Sequence, residues 1–443
     1  MAPKVFLLFC LLPVCRVPLY AQDSVSHPVY SFSLNDVIRI AKDQNKRVKA
    51  AREDEKASAF DLQDAKDAVL PYLAADGNYQ RYTKVTLFQN GLSDAHAISR
   101  PPDPNSASLV TQAGFLVYAG GRVRRNIEEK EIRSQLAVVN TGDEAGQTST
   151  QAALLYLQII GLYRQDSLVA EQIKRAELRV KNIRALYENE RVTKSDLLRA
   201  EVDLSTQQLN REQTDNDITI AKDKLAIQLD LPGSPRIIIT DTAVNLPGVA
   251  ELPGEYTPEA PNTPYLLQKY GKLLLLQENR IDLIRSQYSP TVQLYSAYGL
   301  NYPNLNLFPP INQWWSAGFI GVMVHYDISS LYHTRNKMAA ARQQYESLHL
   351  QRDYIADNVN EEIRSLTLKY RESLDRITVA RKSIEQAAVN LRILSAKYYN
   401  QLALLTDLLD ADNLYTESAL RLVRAQTDAM GYYYRLLYAT GRL

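Results

Sequence analysis

Two stretches of this chain, far apart in number, repeat the same succession of signals, and internal repetition of that kind dictates architecture before any single motif does. Leu70-Pro71-Tyr72-Leu73 is echoed by Ser289-Pro290-Thr291-Val292, each closing a helical stretch and opening an alternating one. Further on, Val117-Tyr118-Ala119-Gly120-Gly121 corresponds to His325-Tyr326-Asp327-Ile328-Ser329. Tyr187 with Ser195-Asp196-Leu197-Leu198 corresponds to Tyr398 with Thr406-Asp407-Leu408-Leu409. Each half therefore reads helix, two strands, very long helix, second long helix. Between them, Pro232, Pro235, Pro247, Pro253, Pro258, Pro261 and Pro264 exclude a continuous helix and predict a linker, with room for a short strand at Ile237-Ile238-Ile239.

The expected boundaries follow. Residues 1–21 read as a secretory signal peptide, with Lys4, an apolar run from Val5 to Leu12 and Leu19-Tyr20-Ala21 before Gln22. The first repeat spans 22–231, with strands near 72–90 and 107–119 and a helical hairpin over 120–230. A proline-rich segment covers 232–263. The second repeat spans 264–443, with strands near 290–302 and 314–327 and a hairpin over 328–441. Both cysteines, Cys10 and Cys15, lie in the leader, so the mature chain needs no disulfide or thiol chemistry. A lipid-modified Cys15 is the alternative, and Val14 stands where such a site wants a small residue.

The long helices carry a seven-residue apolar stripe: Leu155, Leu162, Val169, Ala176 and Ile183, and then Ile363, Tyr370, Ile377, Ile384, Leu391 and Tyr398. Such a stripe drifts around a helix of 3.6 residues per turn, so the helices must supercoil to keep their seams together. Between the stripes lie Lys, Arg, Glu, Asp and Gln, which makes the outer faces wet. No apolar run after residue 21 approaches the roughly 18 residues of a membrane helix. A membrane crossing, if this chain makes one, is made by strands.

The strand segments support that. Leu73, Ala75, Gly77 and Tyr79 share one face, and Ala74, Asp76, Asn78 and Gln80 the other. One apolar and one polar face suits a barrel wall between lipid and water. Val292, Leu294, Ser296, Tyr298 and Leu300 against Gln293, Tyr295, Ala297 and Asn301 shows it more weakly, and Trp314 to Tyr326 is apolar on both faces. Trp314 and Trp315 fit either an aromatic girdle or a core. Pro101-Pro102-Asp103-Pro104 and Phe308-Pro309-Pro310 fall in the expected outer loops. Four strands in lipid leave two edges of unpaired N–H and C=O groups, each costing several kcal/mol, so closure requires further copies. Residue arithmetic alone leaves the number of copies open.

These residues resemble the TolC-type outer-membrane efflux proteins over essentially the whole mature chain. The resemblance rests on Phe32-Ser33-Leu34-Asn35-Asp36-Val37-Ile38, Leu70-Pro71-Tyr72-Leu73, and Val117 to Arg122. Ser195-Asp196-Leu197-Leu198-Arg199-Ala200-Glu201 and Thr406-Asp407-Leu408-Leu409-Asp410-Ala411 complete it. It implies an α+β membrane protein with a duplicated strand pair and long antiparallel coiled-coil helices, a homotrimer closing a twelve-stranded β-barrel continued by an α-helical barrel. It also implies an exit duct for an efflux or type I secretion system in the outer membrane of a Gram-negative bacterium, its helical part in the periplasm. The implied partners are a periplasmic adaptor (membrane fusion) protein, an inner-membrane transporter and outer-membrane lipid. By the same resemblance, Asp407 and Asp410 ring the periplasmic entrance; their plain structural reading is a solvated helix face. The tips implied for adaptor contact are Glu190, Arg191, Val192, Thr193 and Gln401, Leu402, Ala403, and Pro71, Gly120, Gly121 and Pro290 mark barrel–helix junctions. Glu190 and Gln401 depart from the family, which places glycine in those hairpins.

Other classes find less support. With 51 basic and 50 acidic residues, net charge +1, there is no footprint for nucleic acid. There is no phosphate loop, nucleophile elbow or paired-histidine metal motif, and His27, His96, His325, His333 and His349 lack ligand spacing, so neither enzyme activity, cofactor nor metal is expected. The stronger rival is a periplasmic coiled-coil adaptor or scaffold that never enters a membrane. An adaptor carries one helical hairpin, where this chain reads as having two.

Overall fold

The computed structural model describes residues 29–83, 85–88, 90–98, 104–233, 235–241, 246–248, 252, 254, 262–304, 306 and 311–443. The leader peptide, most of the outer-loop prolines and much of the proline-rich linker lie outside these residues.

In the first half, β1 (Val29–Phe32) leads into α1 (Leu34–Gln44) and α2 (Lys46–Asp67). Where the sequence predicts one helix, the structure has two. Asn45 is extended and caps α2, its Oδ1 accepting the Arg47 N–H at 2.8 Å while its Nδ2 donates to the Gln228 carbonyl at 2.7 Å. Then come β2 (Tyr72–Arg81), β3 (Val85–Phe88), β4 (Ala95–Ile98), β5 (Asn105–Tyr118), α3 (Arg122–Glu188) and α4 (Lys194–Gln228). In the second half β6 (Arg236–Ile239) precedes α5 (Tyr265–Ser286), β7 (Thr291–Tyr302), β8 (Trp315–His325), α6 (Ser330–Tyr399) and α7 (Leu405–Ala439).

The strand expected over 72–90 is a correction: β2 stops at Arg81. Its partner β5 starts at Asn105 because Pro104 offers no N–H to the ladder, and the Tyr82 N–H closes on the Pro104 carbonyl instead. The chain beyond folds into its own hairpin, β3 against β4.

At 67 and 70 residues, α3 and α6 are each about 100 Å long at 1.5 Å per residue. Along α3 lie α2 and then α4; along α6 lie α5 and then α7, and α3 also packs on α5 and α7, which ties the halves together. The seven-residue stripes are the seams: Val169, Ala176, Ile183, Ile363, Tyr370, Ile377 and Tyr398 are buried. Midway, β1 pairs in parallel with β6 over a core of Phe32, Val37, Tyr156, Ile159, Leu225 and Ile237. Among the described residues no helix is long and apolar enough to cross a membrane.

The sheet runs β2-β5-β7-β8, antiparallel throughout, and its register settles orientations that alternation left open. Leu73 stands in one row with Ala113, Ser296 and Ile320, and Phe115 in another with Leu294 and Val322. Val292 and Val324 continue this face, and so do Leu109 and Leu300. The opposite face collects Asp76, Asn78, Gln80, Ser108, Gln112, Gln293 and Asn301. Ten steps from Val292 to Tyr302, at about 3.4 Å each and a tilt near 45°, give roughly 24 Å of height, the thickness of a membrane-barrel belt. Trp314 ends the apolar face, exposed, its ring 5.4 Å from that of Tyr302.

Candidate functional site

Both helical hairpins end in the same backbone device. At the first, the Arg191 N–H reaches the Leu186 carbonyl and the Glu190 N–H reaches Tyr187; at the second, Leu402 reaches Lys397 and Gln401 reaches Tyr398. This closing pair of bonds turns the residue between them left-handed, and Glu190 and Gln401 sit at φ 58° and 60°. Each tip thus takes the left-handed turn that glycine favours with a residue that carries a Cβ. Arg191, Val192 and Thr193, like Leu402 and Ala403, form the short connections beyond.

The return helices start alike. Thr193 caps α4 through its hydroxyl, and the Asp196 carboxylate accepts the Thr193 N–H at 3.1 Å. In α7 Leu404 stands at the cap, and Asp407 Oδ2 accepts its N–H at 3.0 Å. Asp407 thus does local work at the helix start that the Asp196 echo also does. Asp410, one turn on, is exposed beside it, and its counterpart Arg199 carries the opposite charge. Leu405, Leu408 and Ala411 occupy the other face of this turn; the two leucines join Val180, Ile183, Ala200 and Tyr398 in the tip core. Burial, and next the nearby Asp196 carboxylate, push the Tyr398 phenol up to about 12.

Behind the tips lies a polar layer absent from the sequence reading. Arg179 is buried in α3 and donates to Asp412 of α7 and, at 2.8 Å, to Asp203 of α4. Arg175 adds a 2.8 Å bond to Asp412 and a 3.2 Å bond to the Thr416 hydroxyl. Gln172 reaches Asn413 at 3.2 Å, and Gln165 reaches Thr214 at 3.2 Å. The legible signal was the second position of the heptad: three residues after Leu162, Val169 and Ala176 stand Gln165, Gln172 and Arg179, where a plain coiled coil would be apolar.

The junctions are less alike than their sequence echo. Pro71 and Pro290 immediately precede β2 and β7. Gly120 and Gly121 are both left-handed, φ 61° and 82°, and a Cβ on Gly120 would stand 2.8 Å from the Ser286 carbonyl oxygen. At the other junction Asp327 takes over by accepting the Ser329 N–H at 3.0 Å and its hydroxyl at 2.6 Å. A bulge at Val117 separates the Leu116 and Tyr118 pairings just before the glycines. Among the described residues no group of His, Cys, Asp and Glu could hold a metal ion.

Solved structures share this arrangement almost end to end. The CmeC outer membrane channel of Campylobacter jejuni superposes with a TM-score of 0.76 at 13% identity, covering 92% of this chain and 85% of that one. The chain has the TolC-type outer-membrane channel fold. The outer membrane protein VceC of Vibrio cholerae gives 0.72 at 18% identity, covering 92% and 96%. The open-state MtrE outer membrane channel of Neisseria gonorrhoeae gives 0.70 at 16%, covering 92% and 88%. No family model matches the sequence, and no curated protein matches it significantly. At such low identity it is the TolC-type fold that is shared.

Proposed function

We propose that this protein is an outer-membrane exit channel, passively conducting substrates delivered by an efflux or type I secretion pump. The carrying observation is the four-stranded sheet: a mainly apolar face, an opposite face that carries Asp76, Asn78, Gln112, Gln293 and Asn301, and unpaired edges at β2 and β8. In lipid those edges demand partners, and a second copy offers the complementary pair, so β8 of one copy pairs with β2 of the next. Three copies close twelve strands, and the helices continue the wall below. Within this reading the tips at Glu190–Thr193 and Gln401–Ala403 meet a periplasmic adaptor, and Asp407 and Asp410 narrow the entrance toward the inner-membrane transporter. On this reading the main choice of cargo falls to the pump.

The test is fractionation followed by reconstitution. The expected outcome is sedimentation with outer membranes, resistance to carbonate extraction, a detergent-stable trimer and step conductance in planar bilayers. A monomer that washes free would return the chain to the periplasmic rod reading.

A further inference from the structure

The polar face of the sheet is not polar along its whole height. Its outer rows carry Asp76, Asn78 and Asn301, with Trp315 at the β8 edge; the next two rows toward the helices carry rings, Phe319 in one row with Gln112 and Tyr72 with Tyr295 in the other, and Gln293 follows. The register row Tyr72, Gly114, Tyr295, Gly321 alternates ring and glycine. A Cβ on Gly114 would stand 2.6 Å from Tyr72 Cζ, and one on Gly321 3.0 Å from Tyr295 Cε1, so each tyrosine ring lies over the bare backbone of the next strand. A ring laid against the wall turns its π face outward. Phe319, 57% exposed, meets Tyr295 edge-on at 5.5 Å and has no glycine beneath it, so its position is not needed to fill a gap in the sheet.

Charge on this face has one sign. Among the described strand residues it carries the Asp76 carboxylate, which accepts from Gln112 Nε2 at 3.1 Å, then His325 at the helix end, and neither lysine nor arginine. Arg81, at the outer end of β2, belongs to the other face.

We infer that this face bears a stacking site for aromatic organic cations, with Tyr72, Tyr295 and Phe319 as the platform and Asp76 as the attracting charge. The inference rests on the channel reading, which makes this side the bore. The carboxylate and the ring faces attract any monovalent cation, while ring-on-ring stacking adds only for a cation that carries aromatic groups, so the platform holds an aromatic cation more tightly than a purely alkyl one of equal charge.

The experiment compares block of single-channel current by tetraphenylphosphonium and by tetrabutylammonium. The native channel is expected to be blocked about tenfold more readily by tetraphenylphosphonium. Replacing Tyr72, Tyr295 and Phe319 together with leucine should abolish that preference, while Asp76→Asn should weaken both blockers alike. If the triple variant fails to assemble, Phe319→Leu alone should reduce the preference severalfold. Equal block by the two cations in the native channel, or an unchanged preference in the variants, overturns the site while leaving the channel standing. Absence of any native conductance overturns both.

Discussion

Asp412 of α7 closes on Arg179 of α3, and both side chains are almost wholly buried where the two hairpins of the chain lie against each other. The pair reaches across 233 residues of sequence, with Asp203 of α4 as the second acceptor, so three of the four hairpin legs meet at one guanidinium. A buried pair of this kind costs desolvation to form, and breaking it leaves an uncompensated charge. Asp412→Ala should destabilise the tip region by about 3 kcal/mol. Chemical denaturation of the purified protein measures it, and the double variant Arg179→Met with Asp412→Leu should recover much of the loss. A single-variant loss below roughly 1 kcal/mol would count against the pair as the tie between hairpins.

At the tips, Glu190 and Gln401 hold left-handed backbone that a Cβ opposes by about 1 to 2 kcal/mol. Glu190→Gly and Gln401→Gly should each raise the melting temperature, the strain relief partly offset by the extra freedom of glycine in the unfolded chain. Glu190→Val should lower it. Circular dichroism melts of the three variants decide the sign.

What the sequence revealed and what it hid divide along contact range. Stripes such as Ile363 to Tyr398 and strand-leading prolines such as Pro71 are local patterns, and each could be read without knowing its neighbours. Glu190 and Gln401 looked like departures, because residue identity at a tip is visible in sequence while its backbone angle is not. The split at Asn45 depends on the Gln228 carbonyl, and the layer at Arg179 depends on Asp412; neither partner is near enough in sequence to announce itself. β2 ends early because of Pro104, which belongs to the following strand's approach and was read only as loop.

Asp407 and Asp410 differ in what their loss should do. Asp407 accepts the Leu404 N–H, so Asp407→Ala should cost about 1 kcal/mol of helix stability as well as any effect on ions. Asp410 has no such local duty, and Asp410→Asn should change ion selectivity alone. If the two carboxylates ring the entrance, the Asp407→Ala/Asp410→Ala channel will lose cation preference in bilayer recordings. Unchanged reversal potentials in asymmetric salt would reduce both residues to a solvated helix face.

Tyr398 provides a pH test. Its phenol is pushed up to about 12 by burial, above the ordinary value of about 10, so the folded state holds the proton more tightly than the unfolded one. The stabilisation this represents is fully present below pH 10 and is lost as pH rises through 12. Tyr398→Phe cannot titrate, so its stability should decline less than the native protein's between pH 10 and 12. Parallel denaturation curves across that window would show that the ring is more accessible than its place beside Ile183 and Leu405 implies.

The apolar sheet face carries the sharpest prediction about the membrane. Leu294 is the fourth of the twelve residues of β7, in one row with Phe115 and Val322, while Gln293 one residue earlier lies on the opposite face. Leu294→Arg should cost about 1 to 3 kcal/mol if that row meets lipid, between the interface and midplane values for a cation on the lipid face. Gln293→Arg, by contrast, adds a cation to the opposite face, which on the same reading lines a watery bore, and should assemble at near-native yield. Trimer recovered from outer membranes, compared on an unheated gel, separates the two. Normal assembly of Leu294→Arg together with failure of Gln293→Arg would turn the sheet inside out, and the aromatic row at Tyr72 and Tyr295 would then face lipid.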